Sequence, residues 1–215
     1  MIPVDALLFD LDGTLIDSKR DLARSVQYLQ TYFGVCVSSE KRVGTFIGDG
    51  VVTLVQRALP KLSADRIDEA VGAFKQFYRD HCLDHTRLYP GVLSALKHFR
   101  RKKMAVVTNK PVRVSGYILD ELGLSSYFAV LIGGDSLPRK KPDPEPVLSA
   151  LITMRVHNLE RSVMIGDSSH DVHAGRAAGI YTCGIHSNIG DPQKMLNSKP
   201  DYVIHKMTEL MRKFS

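Results

Sequence analysis

Cysteine is scarce in this chain of 215 residues. Cys36, Cys82 and Cys183 stand far apart, which excludes a disulfide framework or a cysteine-ligated zinc cluster and predicts three reduced thiols. Long apolar runs are missing too. No stretch approaches the roughly 18 residues of a membrane span, and Met1-Ile2-Pro3-Val4-Asp5 has neither the basic start nor the apolar segment of a secretory signal. The expectation is a cytoplasmic protein with no membrane partner. The net charge is +6, but the basic residues are dispersed and no nucleic-acid recognition motif accompanies them, so no nucleic-acid partner is expected. The densest basic group, Arg100-Arg101-Lys102-Lys103, follows an amphipathic stretch that begins near Val92. It reads as the solvated end of a helix, where cations meet the negative end of the dipole. A positive surplus also attracts small anions.

With 44% hydrophobic residues the chain can fill a sizeable core. Three of its apolar runs end in polar residues of a particular kind. Val4 to Leu8 lead into Phe9-Asp10-Leu11-Asp12-Gly13-Thr14, Met104 to Val107 into Thr108-Asn109, and Val163 to Ile165 into Gly166-Asp167-Ser168-Ser169-His170-Asp171. Further runs at Val130 to Ile132, Ile180 to Ile185 and Tyr202 to Ile204 alternate with helical segments. The pattern predicts an α/β fold with a doubly wound parallel sheet, whose ligand sites form at the carboxyl ends of the strands.

Residues 17–86 interrupt this alternation. They hold two helical patterns, Leu22, Val26, Leu29, Phe33 and Ile67, Val71, Phe74, Phe77, Tyr78, and are far longer than one crossover helix requires. The expected organisation is a core of residues 1–16 and 87–215 with a helical domain inserted at 17–86. Its hinges fall at Leu15 to Asp17 and His85 to Pro90.

A helix cap needs only one Asp, so two carboxylates two positions apart at a strand end suggest chemistry. The segment Arg139-Lys140-Lys141-Pro142-Asp143-Pro144 adds lysines on a backbone that its prolines keep out of helix and strand. Asp167 and Asp171 suit either a helix cap or a cation site.

These four segments, in this order and spacing, resemble the motifs of the haloacid dehalogenase superfamily of phosphohydrolases. Asp10 to Ser18, Gly133-Gly134-Asp135 and Lys140 to Pro144 look most like its phosphoglycolate phosphatase branch. The resemblance implies a Rossmann-like core with a mobile C1-type cap, and a Mg²⁺-dependent phosphatase acting on a small phosphorylated metabolite, phosphoglycolate first. It assigns Asp10 as nucleophile, Asp12 as acid and base, and Thr108 and Lys141 as further catalytic residues, with Lys140 the alternative lysine. Mg²⁺ would be held by Asp10, by Asp12 through its backbone carbonyl, by Asp167, and by Asp171 as ligand or supporting acid. Substrate contacts would come from Thr108, Asn109, Lys141 and the loop Gly44 to Gly50, chiefly Gly48, Asp49 and Gly50. A sugar-phosphate phosphatase, a pyrophosphatase or a phosphoglucomutase-like enzyme could share this core. A phosphoacceptor or binding domain lacks need of the insertion and Asp12. His170 and His173 receive no role, and the chain is expected as a monomer or homodimer.

Overall fold

The computed structural model describes residues 1–187 and 189–215. Side chains alternate across the first strand: Leu7 and Phe9 join one apolar cluster, Ala6 and Leu8 another. Both faces are therefore covered, as a parallel sheet requires. The strands are β1 (Ala6–Phe9), β2 (Ile16–Asp17), β3 (Arg87–Leu88), β4 (Lys103–Val107), β5 (Val130–Ile132), β6 (Ser162–Gly166), β7 (Tyr181–Ile185) and β8 (Tyr202–Ile204). Six of them form one parallel sheet in the order β5-β4-β1-β6-β7-β8. Leu7 of β1 pairs with Met104 on one side and Val163 on the other. The chain moves outward from β1 to β4 and β5, then returns past β1 to β6. The order thus reverses between β1 and β6, at the sheet's centre.

The helices are α1 (Lys19–Tyr32), α2 (Glu40–Gly44), α3 (Val51–Ala58), α4 (Ile67–His81), α5 (Val92–His98), α6 (Val112–Glu121), α7 (Glu145–Thr153), α8 (Ser169–Ala177), α9 (Pro192–Asn197) and α10 (Leu210–Lys213). Val147 and Leu151 of α7 and Ala174 of α8 cover the face carrying Ala6 and Leu8. Leu96 of α5, Ile118 of α6 and Leu210 of α10 belong to the cluster on the other. The expectation of a doubly wound α/β sheet holds.

Helices α1 to α4 lie between β2 and β3. Leu22, Val26 and Leu29 of α1 and Val71, Phe74 and Tyr78 of α4 are buried together, following the spacing of the two helical patterns. The strands β2 and β3 pair antiparallel, Ile16 with Leu88 and Asp17 with Arg87, where the two hinges were expected. Beside them the buried Asp21 accepts hydrogen bonds from the backbone N–H of His85 and of Thr86, and from the Thr86 hydroxyl. The two ends of the inserted segment are thereby fastened to each other.

The basic group at 100–103 corrects one expectation. Helix α5 ends at His98, Lys103 already belongs to β4, and the residues between form a turn. Lys102 Nζ donates to Val4 O at 2.8 Å and Lys103 Nζ to Arg155 O at 2.7 Å, so these cations bind loop carbonyls rather than a helix end. They also lie at the end of the sheet remote from the acids. Among the described residues no helix is long and apolar enough to cross a membrane. Cys36 is exposed, Cys82 and Cys183 are buried, and all three are free thiols.

Candidate active site

The reversal of strand order leaves a crevice above the carboxyl ends of β1, β4 and β6. Asp10 and Asp12 follow β1, Thr108 and Asn109 follow β4, and Asp167 follows β6, so the topology gathers three distant segments at one place. Asp10 N donates to Ile165 O at 2.9 Å and Thr108 N to Ile132 O at 2.9 Å, fixing both backbones to neighbouring strands. Gly13 turns the chain with φ +83°, and a Cβ there would lie 2.1 Å from Asp167 Oδ2. Only glycine permits that turn and that close approach together.

Carboxylate oxygens of Asp10, Asp167 and Asp171 lie within 4.8 Å of one another. Lys141 Nζ sits among them, 3.0 Å from Asp10 Oδ1 and 2.5 Å from Asp171 Oδ1, and donates to Val107 O at 2.6 Å. Burial pushes the Asp10 carboxyl up to about 6, Lys141 pulls it partly back, and Asp171 raises it again. Asp167 is raised well above the usual carboxylate range, first by burial and then by Asp10 and Asp171. Burial alone would lower Lys141, but Asp10 and Asp171 outweigh it and hold the ammonium above its ordinary value. One lysine is too little positive charge for three clustered acids, two of them buried. Asp10 Oδ1, moreover, receives no well-directed hydrogen bond from any described residue. A hard divalent cation fits this all-oxygen donor set and its uncompensated charge.

Asp171 has a second engagement. Its Oδ2 accepts from Ser168 N at 3.0 Å and from Ser168 Oγ at 2.6 Å, closing a capping box on α8. Helix cap and acidic cluster coexist in one side chain. Asp12, by contrast, turns its carboxylate away from the cluster. Lys110 Nζ lies 2.9 Å from each of its oxygens, Ser18 Oγ donates to Oδ1, and Tyr78 Oη of α4 accepts from Lys110 at 2.7 Å. Burial lowers the Lys110 ammonium, yet Asp12 and Tyr78 together raise it above its ordinary value. Neither Lys110 nor Tyr78 was foreseen as a site residue. A lysine three positions past the end of β4, and a hydroxyl on the apolar face of α4, were the available signals.

The remaining residues divide. Thr108 is buried at the cavity wall and accepts from Lys110 N at 3.3 Å through its hydroxyl. Asn109 Nδ2 donates to Lys141 O and to Gly48 O, both at 3.0 Å, joining the loop of the inserted segment to the sheet edge. Gly48 and Gly50 line a cavity of about 1020 Å³ with Asp10, Asp12, Thr108, Asn109, Lys141 and Asp167. Asp49, expected to meet substrate, does not line it. Its carboxylate instead pairs with Arg57 and with His170 Nε2 at 2.8 Å, and its backbone carbonyl accepts from Lys140 Nζ. His170, which had no expected role, therefore braces this loop against α8. Lys140 is likewise committed to the loop, leaving Lys141 as the lysine among the acids.

The cavity also carries Lys75, Arg79 and Arg113. Asp80, paired with Arg79, and Asp135 also line it, so Lys75 and Arg113 are the rim cations that, with the central lysine, suit an anionic substrate. Residues 7–185 match the family model described as haloacid dehalogenase-like hydrolase. The chain is 35% identical to the phosphoglycolate phosphatase of Chromobacterium violaceum, over 96% of this chain and 95% of that one. It is 38% identical to the phosphoglycolate phosphatase of Psychrobacter arcticus, over 89% of this chain and 88% of that one. The crystal structure of a predicted phosphoglycolate phosphatase from Haemophilus somnus 129pt superposes with a TM-score of 0.93 at 30% identity, covering 99% of both chains. Sequence and overall fold thus agree across nearly the whole length, and the chain belongs to the haloacid dehalogenase-like hydrolases.

Proposed function

We propose that this protein is a Mg²⁺-dependent phosphatase that hydrolyses phosphoglycolate through an aspartyl-phosphate intermediate. The observation that carries the reading is the convergence of Asp10, Asp167 and Asp171 on Lys141, with Asp10 Oδ1 buried and short of a hydrogen-bond donor. The names of the relatives support the substrate, as does a cavity that supplies cations for a phosphate and a carboxylate on one small molecule. An acidic loop would oppose that carboxylate, but the charge of Asp49 is paired with Arg57, and its other oxygen lies 2.8 Å from the ring nitrogen of His170, whose own charge burial disfavours.

In this reading Asp10 attacks phosphorus opposite the ester oxygen; the Asp–O–P bond forms as the P–O bond to the leaving group breaks. Asp12 delivers a proton to the departing alkoxide. It then takes a proton from the water that attacks the aspartyl phosphate, releasing inorganic phosphate and restoring Asp10. Lys141 and the Thr108 hydroxyl donate to phosphoryl oxygens and hold them in line. Asp10, Asp167, the Asp12 carbonyl and, as ligand or support, Asp171 would hold Mg²⁺, which would supply positive charge to offset the repulsion of a carboxylate nucleophile by a phosphate dianion. Residues 17–86 act as a cap over the core formed by 1–16 and 87–215, with Gly48 and Gly50 contributing substrate contacts.

The test is phosphate release from phosphoglycolate, hexose phosphates, pyrophosphate and an aryl phosphate, each with Mg²⁺ and with chelator. Metal-dependent release with phosphoglycolate preferred is the expected outcome. Preference for a hexose phosphate or pyrophosphate overturns the substrate assignment, and conversion of a sugar phosphate without net release points to a mutase.

A further inference from the structure

We infer that Lys110, seated by Tyr78 of α4, is the positioning residue for Asp12, so that the acid/base carboxyl is aimed only while the helical insertion is in place. The inference rests on the phosphatase reading above, because it concerns the residue assigned there to proton transfer.

The hydrogen-bond count decides what Lys110 does. A lysine ammonium has three donors and no acceptor. Three acceptors surround this one: Asp12 Oδ1 and Oδ2, each at 2.9 Å, and Tyr78 Oη at 2.7 Å. No donor remains for a phosphoryl oxygen or a substrate carboxylate. The side chain lines the cavity but is only 4% exposed, and its ammonium lies 4.6 Å from the centre of the Tyr78 ring, a cation–π contact that adds to its hold on this position. Lys141 donates to Asp171 Oδ1 and Val107 O and lies 3.0 Å from Asp10 Oδ1 without a well-directed hydrogen bond to it, which leaves its third donor for a phosphoryl oxygen. The two buried lysines therefore divide the acids between them, one serving the nucleophile and the other the acid/base.

The backbone of Lys110 is held as firmly as its tip. Its N–H donates to Thr108 Oγ1 at 3.3 Å and its carbonyl accepts from Gly134 N at 2.8 Å. A Cβ at Gly134 would lie 2.2 Å from Asn109 O, so a glycine is what lets the loop after β5 clasp this segment. The motif Gly133-Gly134-Asp135 is thereby given a physical task, since Asp135 Oδ1 also accepts from Val112 N at the start of α6. At the other end Tyr78 is 4% exposed and packed beside Phe74 on the inner face of α4. The chain of contacts runs from α4 through Tyr78 and Lys110 to Asp12, with Ser18 closing the remaining side of the carboxylate. Asp12 thus has its orientation dictated jointly by the sheet and by the insertion. Withdrawal of α4 removes one of the lysine's three acceptors and frees both side chains to turn.

A residue that only supports the fold would, when altered, depress every substrate alike. A residue that aims the acid affects most those substrates whose leaving group needs a proton. The experiment compares kcat/KM, which reports the steps through departure of the leaving group, for an alkyl and an aryl phosphate. The alkyl substrate is phosphoglycolate, or the alkyl phosphate preferred by the wild type; the aryl substrate is p-nitrophenyl phosphate. Lys110→Met keeps the length and removes the donors. It is expected to lose about 100-fold on the alkyl phosphate, the lower end of what proton transfer contributes, and less than about tenfold on the aryl phosphate, with KM changed little. Tyr78→Phe should show the same selective loss at smaller size, and Lys110→Arg should recover part of it. Equal losses on both substrates, or none, in a Lys110→Met protein that unfolds at the wild-type temperature overturn the inference. Should Lys110→Met fail to fold, Tyr78→Phe decides alone: a selective loss supports the inference, and an unselective or absent one overturns it. Wild-type protein that releases phosphate from neither substrate overturns the phosphatase reading, and the inference falls with it.

Discussion

Replacing Asp10 with Asn should abolish catalysis and, in the absence of metal, make the protein more stable. The carboxyl of Asp10 sits at about 6 against an ordinary aspartate value of 3.8, chiefly because burial disfavours its charge. A carboxyl that binds protons more tightly when folded stabilises the fold at low pH and loses that contribution as pH rises toward 6. Above that, the cost of holding the charge is fully present. The difference between the two values corresponds to about 3 kcal/mol, at about 1.4 kcal/mol per pH unit. Asn keeps the shape and carries no charge, so Asp10→Asn should gain up to about 3 kcal/mol near neutral pH, or roughly 6 to 12 °C in Tm for a chain of this size. Lys141 keeps its partner Asp171 in the variant, which limits the loss on the other side. The assay is thermal unfolding of both proteins in chelator from about pH 4 to pH 7.5, repeated with Mg²⁺. The gain should shrink toward zero as pH falls to about 4, and Mg²⁺ should raise the Tm of the wild type more than that of the variant. A variant no more stable than wild type near neutrality, or a gain that ignores pH, would refute the argument.

Gly13→Ala forces a Cβ into Asp167 from a left-handed backbone; a cost of about 1–2 kcal/mol from the backbone alone is expected, with weaker Mg²⁺ binding in calorimetry, and unchanged affinity would count against the role of that turn. For Asp21, burial raises the carboxyl but the hydrogen bonds from His85 and Thr86 outweigh it and hold it below its ordinary value. Its stabilisation is therefore present above the ordinary aspartate range and lost as pH falls through its lower folded value. Asp21→Asn should cost about 1–3 kcal/mol near neutrality in denaturant unfolding and less near pH 3; the opposite trend would contradict that pairing. Asp49→Ala should lower kcat/KM by a similar factor for all phosphate esters, because its carboxylate braces the loop through Arg57 and His170; a change in preference between esters would instead place it against substrate.

The alternation of apolar runs made the sheet legible, since strands buried on both faces leave continuous hydrophobic stretches. Val130–Ile132 and Tyr202–Ile204 fall where those runs do. Strand pairs of two residues leave no such trace, so β2 and β3 surfaced only as the ends of a long insertion. The acids were legible because each follows a strand that the topology carries to one edge. Lys110 was not, because its partners stand far off in the chain, Tyr78 at 32 positions and Asp12 at 98. No spacing rule reaches across such distances. The same holds for Asp49, whose glycine-flanked setting suggested a ligand loop while its partner His170 lies on α8. Motifs gave the carboxylates, and only the packed structure shows which cation answers each.

The most direct test of the account is mass spectrometry of the peptide containing Asp10 after rapid acid quenching during turnover with Mg²⁺ and phosphoglycolate. A phosphoryl group on Asp10, absent from Asp10→Asn and from samples without substrate, is the predicted result. Turnover with no phosphoryl group on Asp10 at any quench time, or with the group on another residue, would contradict the assignment of Asp10 as nucleophile.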